Sequence, residues 1–136
     1  MTSETQSGTI LVVDDNVDNR AFAQRFLEAA GYAMVAAGDG EEGLRFYQEN
    51  QSTIVLLLTD VMMPNINGLE LADRVLKIDS QLPVLFMSGD AWSAYRGLEC
   101  VPKPFQEAEL VERVSRTLRA NRHSERSASP PQLSPR

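Results

Sequence analysis

The sequence has few of the features that would place a protein outside a reducing compartment. It contains a single cysteine, Cys100, which excludes an internal disulfide framework. No apolar run approaches the roughly 18 residues that a membrane-spanning helix needs. Met1 to Gly8 is polar and lacks the basic and apolar regions of a secretory signal. We therefore expect a cytoplasmic protein that does not insert into a membrane.

Positive charge is also scarce. The chain has 13 Lys and Arg against 19 Asp and Glu, a net charge of −6. Residues 119–136 carry a net charge of +3, which leaves −9 on the remainder of the chain. Such an acidic body argues against binding to the phosphates of nucleic acids. No glycine-rich phosphate-binding motif follows the first apolar run, which argues against a nucleotide-binding α/β protein.

The 136 residues, 43% of them hydrophobic, are enough for one domain with a buried core. We predict that this domain covers residues 9–121. The N-terminal residues 1–8 and the Ser/Pro-rich residues 122–136 are predicted to be disordered.

Short β-branched and apolar runs alternate with segments that have the periodicity of amphipathic helices. Phe22, Phe26, Leu27 and Ala30, for example, recur at three- and four-residue spacing. This alternation predicts a single-domain α/β fold with a parallel five-stranded sheet and helices on both faces. The predicted strands are 9–13, 33–37, 54–59, 83–87 and 100–102, and the predicted helices include 18–30, 41–50, 69–78 and 107–121.

Polar side chains follow four of the predicted strands. Asp14 and Asp15 follow the first, Asp60 the third, Ser88 the fourth and Lys103 the fifth. The carboxyl ends of parallel strands meet at one edge of a sheet, so three carboxylates would be crowded there. Such crowding raises pKa values or requires a cation, and oxygen ligands of this type suit Mg²⁺.

The chemistry that fits this set is attack by a carboxylate on phosphorus, which gives an aspartyl phosphate. Spacing alone does not say which carboxylate attacks. We favour Asp60, because it stands alone after the most apolar strand, while Asp14 and Asp15 form a pair suited to holding a metal. Considered singly, Asp60 could equally be a turn residue, and Asp14-Asp15 a helix cap.

Together these residues resemble the receiver domain of two-component response regulators. The resemblance is carried by Asp14-Asp15, the run D-V-M-M-P-N-I-N-G that begins at Asp60, Ser88, and Lys103-Pro104, and it covers about residues 9–120. It implies a doubly wound, flavodoxin-like sheet with strand order 2-1-3-4-5. It also implies that Asp60 is the phosphoacceptor and that Mg²⁺ is held by Asp14, Asp15, Asp60 and the backbone carbonyl of Met62.

The resemblance further implies that Ser88 and Lys103 contact the phosphoryl group and that the Lys103–Pro104 bond is cis. The partner would be a histidine kinase or a histidine phosphotransfer protein. The domain would then be a signalling switch that catalyses only its own phosphorylation and dephosphorylation. Two alternatives remain, a Mg²⁺-dependent phosphatase and a phosphorylation-independent scaffold. The phosphatase is disfavoured because Met62 occupies the position where such hydrolases place a general acid.

Two features depart from the family pattern. The interval from Ser88 to Lys103 must hold both a helix and a strand, so we predict that the fourth helix, between about Asp90 and Leu98, is short, irregular or missing. Cys100 stands where receiver domains usually place an aromatic residue that moves on activation. We expect Cys100 to be a small buried core residue.

Overall fold

The structure is a computed structural model that describes residues 8–89 and 100–128, with side chains described up to residue 120. Five parallel strands form one sheet in the order β2-β1-β3-β4-β5, as predicted. The strands are β1 (Thr9–Val13), β2 (Ala33–Ala37), β3 (Ile54–Asp60), β4 (Val84–Ser88) and β5 (Cys100–Pro102). The described helices are α1 (Val17–Ala29), α2 (Gly40–Glu49), α3 (Gly68–Ile78) and α4 (Glu107–Ala128).

The strand register aligns the polar residues that follow the strands. Val13 pairs with Thr59, so Asp14, directly after β1, lies level with Asp60, the last residue of β3. On the other side of β3, Asp60 pairs with Met87, the residue before Ser88. The fold therefore brings both carboxylates and the serine to the same edge of the sheet.

Two apolar cores lie on opposite faces of the sheet, because successive strand residues point to opposite sides. One face buries Leu11, Val13 and Leu57 with residues of α2 and α3. The other buries Ile10, Val12, Ala23, Leu27, Leu56, Leu58, Leu110 and Val114, and thus seats α1 and α4. Strands that are covered on both faces explain the nearly uninterrupted apolar runs in the sequence.

Side-chain caps define the first residues of three helices. Each capping oxygen accepts a hydrogen bond from a backbone amide in the first turn, a contact that satisfies one of the unpaired amides of the helix end. The pairs are Asn16 with Asn19 (3.0 Å), Asp39 with Glu42 (2.8 Å), and Asn67 with Glu70 (2.9 Å). Two of these caps lie in loops that carry acidic residues at the sheet edge.

The structure differs from the predicted pattern on α1. Of the four apolar residues that suggested a helix face, Leu27 is buried but Phe22 is 44% exposed, and the second buried residue is Ala23. The helix is turned so that a small side chain meets the sheet. Phe22 instead stacks on Phe26 at the surface, with ring centroids 6.1 Å apart.

The last helix is longer than predicted. It continues to Ala128, past the predicted end at Asn121 and into the stretch predicted to be disordered from residue 122. Neither glycine nor proline occurs between Glu107 and Ala128, so nothing in this stretch stops the helix before the Pro130-Pro131 pair. The predicted short helix between Asp90 and Leu98 lies outside the described residues. Among the helices that the structure describes, none has the length and apolar composition needed to cross a bilayer.

Candidate functional site

Three carboxylates meet at the carboxyl edge of the sheet. Asp14, Asp15 and Asp60 each offer an oxygen, and these oxygens lie within 4.8 Å of one another. Asp14 is completely buried, Asp60 is 8% exposed, and Asp15 is open to solvent. The predicted acidic set is thus assembled in one place, with one member at the surface.

A lysine lies between two of these carboxylates. The Nζ atom of Lys103 is 3.1 Å from Oδ2 of Asp14 and 3.2 Å from Oδ2 of Asp60. Its side chain is 15% exposed, so both ion pairs are largely shielded from water. A shielded pair of this kind is screened much less by salt than an exposed one.

The crowding shifts the protonation equilibria of the site. Burial raises the pKa of Asp60, and the neighbouring carboxylates of Asp14 and Asp15 add to the rise, while Lys103 opposes it. Burial acts to lower the pKa of Lys103, but Asp14 and Asp60 outweigh it, so the lysine pKa is raised. Lys103 therefore stays protonated at neutral pH, as a donor for an anion requires.

Ser88 lies at the same sheet edge and is 3% exposed. Its carbonyl oxygen accepts a hydrogen bond of 2.9 Å from the amide of Lys103, which ties the end of β4 to the residue after β5. The Lys103–Pro104 peptide bond is cis, as the resemblance implied.

The loop after β3 is fixed by close contact between backbone segments. The amide of Gly68 donates a 2.8 Å hydrogen bond to the carbonyl oxygen of Val61. A Cβ atom on Gly68 would lie 2.0 Å from the carbonyl oxygen of Asp60, so only glycine fits there. Within this loop, Asn65 has a φ of +66°, and the side chain of Met62 is 59% exposed.

The loop after β1 is held by side chains instead. The amide of Asn16 donates to Oδ1 of Asp14 at 2.9 Å. Nη1 of Arg20 donates to the backbone oxygen of Asp14 at 2.7 Å. Arg20 was not predicted as part of the site, because an arginine in the first turns of a helix usually faces solvent. Its spacing from Asp14 is the only sequence signal that could have indicated the contact.

Cys100 is buried at 6% exposure, as predicted for a small core residue. Burial raises the pKa of its thiol, and the charge of Asp60 adds to the rise against the opposing effect of Arg113. Nη1 of Arg113 donates to the carbonyl oxygen of Cys100, at 2.5 Å. This hydrogen bond connects the start of β5 to α4.

The arrangement can support three kinds of interaction. Its carboxylates are the hard oxygen ligands that divalent cations such as Mg²⁺ prefer. Lys103 and Ser88 can donate hydrogen bonds to an anion. A carboxylate beside them can act as a nucleophile.

Comparison with known proteins shows which family has this arrangement of residues. Residues 10–115 match the sequence profile of the response regulator receiver domain. A transcriptional regulatory protein of Haemophilus influenzae, the CpxR homolog, is 35% identical over 89% of this chain and 52% of its own length. The response regulator receiver protein CpdR of Brucella abortus is 35% identical over 80% of this chain and 95% of its own length.

A solved structure agrees with the sequence matches. The receiver domain of the hybrid histidine kinase CckA has a TM-score of 0.72 and 40% identity, over 82% of this chain and 99% of that one. The chain spans about half the length of several of its curated relatives, including the Haemophilus protein. The family match covers most of the chain and includes every residue of the acidic site. The chain therefore belongs to the response regulator receiver domain family.

Proposed function

We propose that this domain is a phosphorylation-dependent signalling switch whose phosphoacceptor is Asp60. The observation that carries the proposal is the convergence of Asp14, Asp15, Asp60 and Lys103 at one edge of the sheet. The phosphoryl group would come from the histidine of a partner kinase or phosphotransfer protein. We place the domain in the cytoplasm, where such partners present their phosphohistidine.

Asp60 is better suited to attack phosphorus than Asp14. Both oxygens of Asp14 are engaged, Oδ1 by the amide of Asn16 and Oδ2 by Lys103, and the residue has no exposed surface. Asp60 keeps a small exposed surface, and among the described residues its side chain is paired only with Lys103, through Oδ2. It can therefore present an oxygen to a donor that arrives from solvent.

The donor set fits a Mg²⁺ ion. Asp14, Asp15 and Asp60 would hold it through oxygen atoms, with the backbone carbonyl of Met62 as a further ligand. When bound, the ion supplies positive charge that neutralises the carboxylates and the phosphoryl oxygens. The exposed position of Asp15 gives the site an opening to solvent.

The transfer step makes one bond and breaks another. A carboxylate oxygen of Asp60 attacks the phosphorus, the bond from phosphorus to the imidazole nitrogen breaks, and its electron pair stays on the imidazole. Lys103 is placed to stabilise negative charge on the transferred group, and Ser88 to donate a hydrogen bond to it. Asp60 thereby exchanges one negative charge for a phosphoryl group of higher charge.

The outcome would be a change in the interactions of this domain with other proteins. Steady hydrolysis is disfavoured because the thioether of Met62 cannot transfer a proton. Some relatives are transcriptional regulators by name, such as the Haemophilus protein. The acidic body of this domain argues against its own contact with nucleic acid, so such an output would need another domain or protein.

Phosphorylation of the chain by a small phosphodonor tests the proposal. The protein is incubated with acetyl phosphate and Mg²⁺, and its intact mass is followed. We expect a gain of one phosphoryl group that is lost in Asp60→Asn and when EDTA is present. Asp73→Asn, an exposed carboxylate on α3, is the matched control and should be phosphorylated normally. An undiminished gain in Asp60→Asn would overturn the assignment.

A further inference from the structure

We propose that Arg20 is a positioning residue that sets the affinity of the acidic site for its divalent cation. This inference rests on the proposed function, because it assumes that Asp14, Asp15 and Asp60 hold the cation. Arg20 is expected to contribute by fixing the peptide that joins Asp14 to Asp15, and it does not itself touch the reacting atoms.

The contact is made to the backbone between the two aspartates. Nη1 of Arg20 donates to the carbonyl oxygen of Asp14 at 2.7 Å. That oxygen belongs to the peptide group between Asp14 and Asp15. Because the group is planar, the bond that holds the oxygen also holds the amide nitrogen and the Cα atom of Asp15 in the same plane. The bond therefore restrains the backbone from which the Asp15 side chain extends.

Asp15 depends on this backbone contact more than its neighbours do. The carboxylate of Asp14 is held by Asn16 and Lys103, and that of Asp60 by Lys103. Among the described residues, no hydrogen bond or ion pair holds the carboxylate of Asp15, which is exposed. A ligand without side-chain restraints is positioned by its backbone, and groups behind metal ligands commonly change affinity by about 10–100-fold.

The loop after β2 leaves space for the guanidinium. A Cβ atom on Gly38 would lie 3.2 Å from Nη1 and 3.6 Å from Cζ of Arg20. The Gly38 amide donates a 2.7 Å hydrogen bond to Oε1 of Glu42, which fixes this glycine against the first turn of α2. A side chain on residue 38 would therefore press on the guanidinium and shift it by a few tenths of an ångström, on the side of a second loop.

Charge and position predict opposite effects for loss of Arg20. Removing the positive charge of Arg20 would tighten cation binding, because the guanidinium repels a cation bound at the acidic cluster. Removing the hydrogen bond that orients Asp15 would weaken it. Weaker Mg²⁺ binding would therefore indicate a positioning role for Arg20, and tighter binding would indicate an effect of its charge alone.

Mg²⁺ affinity of the full chain, measured by calorimetry, is the test. We expect Arg20→Gln to bind Mg²⁺ about tenfold more weakly than the wild type. Arg20→Lys keeps the charge but loses the planar fork of donors, so it should also bind more weakly. At low Mg²⁺ concentration both variants should be phosphorylated less than the wild type, and the difference should disappear as the Mg²⁺ concentration is raised.

Two further variants keep the test specific. Arg25→Gln removes a cation from the same helix, one that lies 5.8 Å over the Phe22 ring rather than beside the acidic site, and should leave Mg²⁺ affinity unchanged. Gly38→Ala should displace the guanidinium without changing any charge and weaken binding by less than Arg20→Gln does. It also tests the inference if Arg20→Gln fails to fold.

The outcomes separate the inference from the proposed function. Unchanged or tighter Mg²⁺ binding by Arg20→Gln and Gly38→Ala, with a wild type that binds, overturns the role of Arg20 alone. A wild type that binds no Mg²⁺ overturns the metal assignment itself, and with it this inference. Weaker binding in both variants, with Arg25→Gln unaffected, supports the inference.

Discussion

Two loops carry the carboxylates of the site, and they are held in different ways. The loop after β1 depends on side chains, through the Asn16 cap and the bond from Arg20 to the Asp14 carbonyl. The loop after β3 depends on backbone contact, because Gly68 packs directly on the carbonyl of Asp60. Side-chain contacts can be weakened in steps, whereas a backbone contact of this kind admits no additional atom.

The two loops therefore tolerate different substitutions. Substitutions in the β1 loop should adjust cation affinity gradually and leave the fold intact. Substitutions at the contact point of the β3 loop should displace Asp60 itself.

Gly68→Ala should have the largest effect. Glycine to alanine in a helix normally stabilises a protein, but here the added Cβ would meet backbone atoms of Asp60 and Val61 at 2.0 to 3.0 Å. We expect a loss of about 3 kcal/mol in the free energy of unfolding, at the upper end for overpacking. Urea denaturation measures the loss, and phosphorylation of Asp60 should fall with it.

Gly89→Ala is the matched control for this prediction. Among residues 8–89 and 100–128, the nearest atom to an added Cβ there is the carbonyl oxygen of Lys103 at 4.0 Å, so the extra methyl group has space on that side. Its unfolding free energy should stay within about 0.5 kcal/mol of the wild type. If Gly68→Ala were equally benign, the backbone account of the β3 loop would be wrong.

The two asparagine caps give a second, smaller comparison. Asn16→Ala and Asn67→Ala each remove one exposed cap of similar length, so each should cost about 1 kcal/mol of stability. Only Asn16→Ala should also weaken Mg²⁺ binding, because Asp60 in the other loop stays fixed by its backbone contact with Gly68 when the Asn67 cap is lost. Calorimetric titration of both variants measures the difference, and a larger effect in Asn67→Ala would contradict it.

Asp60→Asn should have the smallest effect, an increase in stability. Burial and nearby carboxylates raise the pKa of Asp60, so folding favours its protonated form. The contribution of Asp60 to the free energy of unfolding is therefore fully present below its unfolded pKa of 3.8. This contribution is lost as the pH rises through the higher pKa of the folded state. In Mg²⁺-free buffer at pH 7, the variant should melt a few degrees higher, at about 4 °C per kcal/mol.

The pH dependence checks the cause of that increase. The difference between Asp60→Asn and the wild type should shrink as the pH is lowered towards 3.8, where the wild-type carboxyl is neutral. A difference that stays constant with pH would point to packing rather than charge. The loss of the ion pair from Lys103 to Asp60 opposes the gain and keeps it small.

Much of the fold and the site could be predicted from the sequence. The uninterrupted apolar runs of β1 and β3 indicate strands buried on both faces of a parallel sheet, and residues that follow parallel strands lie at one edge. Lys103 followed from its place directly after β5. These predictions succeeded because strand periodicity and strand ends are local properties of the chain.

Features that depend on contacts between distant segments could not be predicted. The close approach of Gly68 to Asp60 and the reach of Arg20 to Asp14 need the relative positions of two segments. The same holds for α1, where packing against the sheet selected Ala23 over the larger Phe22. The Ser-rich composition after residue 121 predicts a tail, whereas α4 continues to Ala128 because no glycine or proline interrupts it.

Lys103 determines how much positive charge a bound ion must supply at the site. Asp14, Asp15 and Asp60 carry three negative charges when ionised, and Lys103 cancels one of them. Among the side chains that pair directly with one another, two negative charges remain, which a divalent cation would balance and a monovalent ion would not. Substituting Lys103 with a neutral residue would therefore change which ions the site prefers, as well as how tightly it holds them.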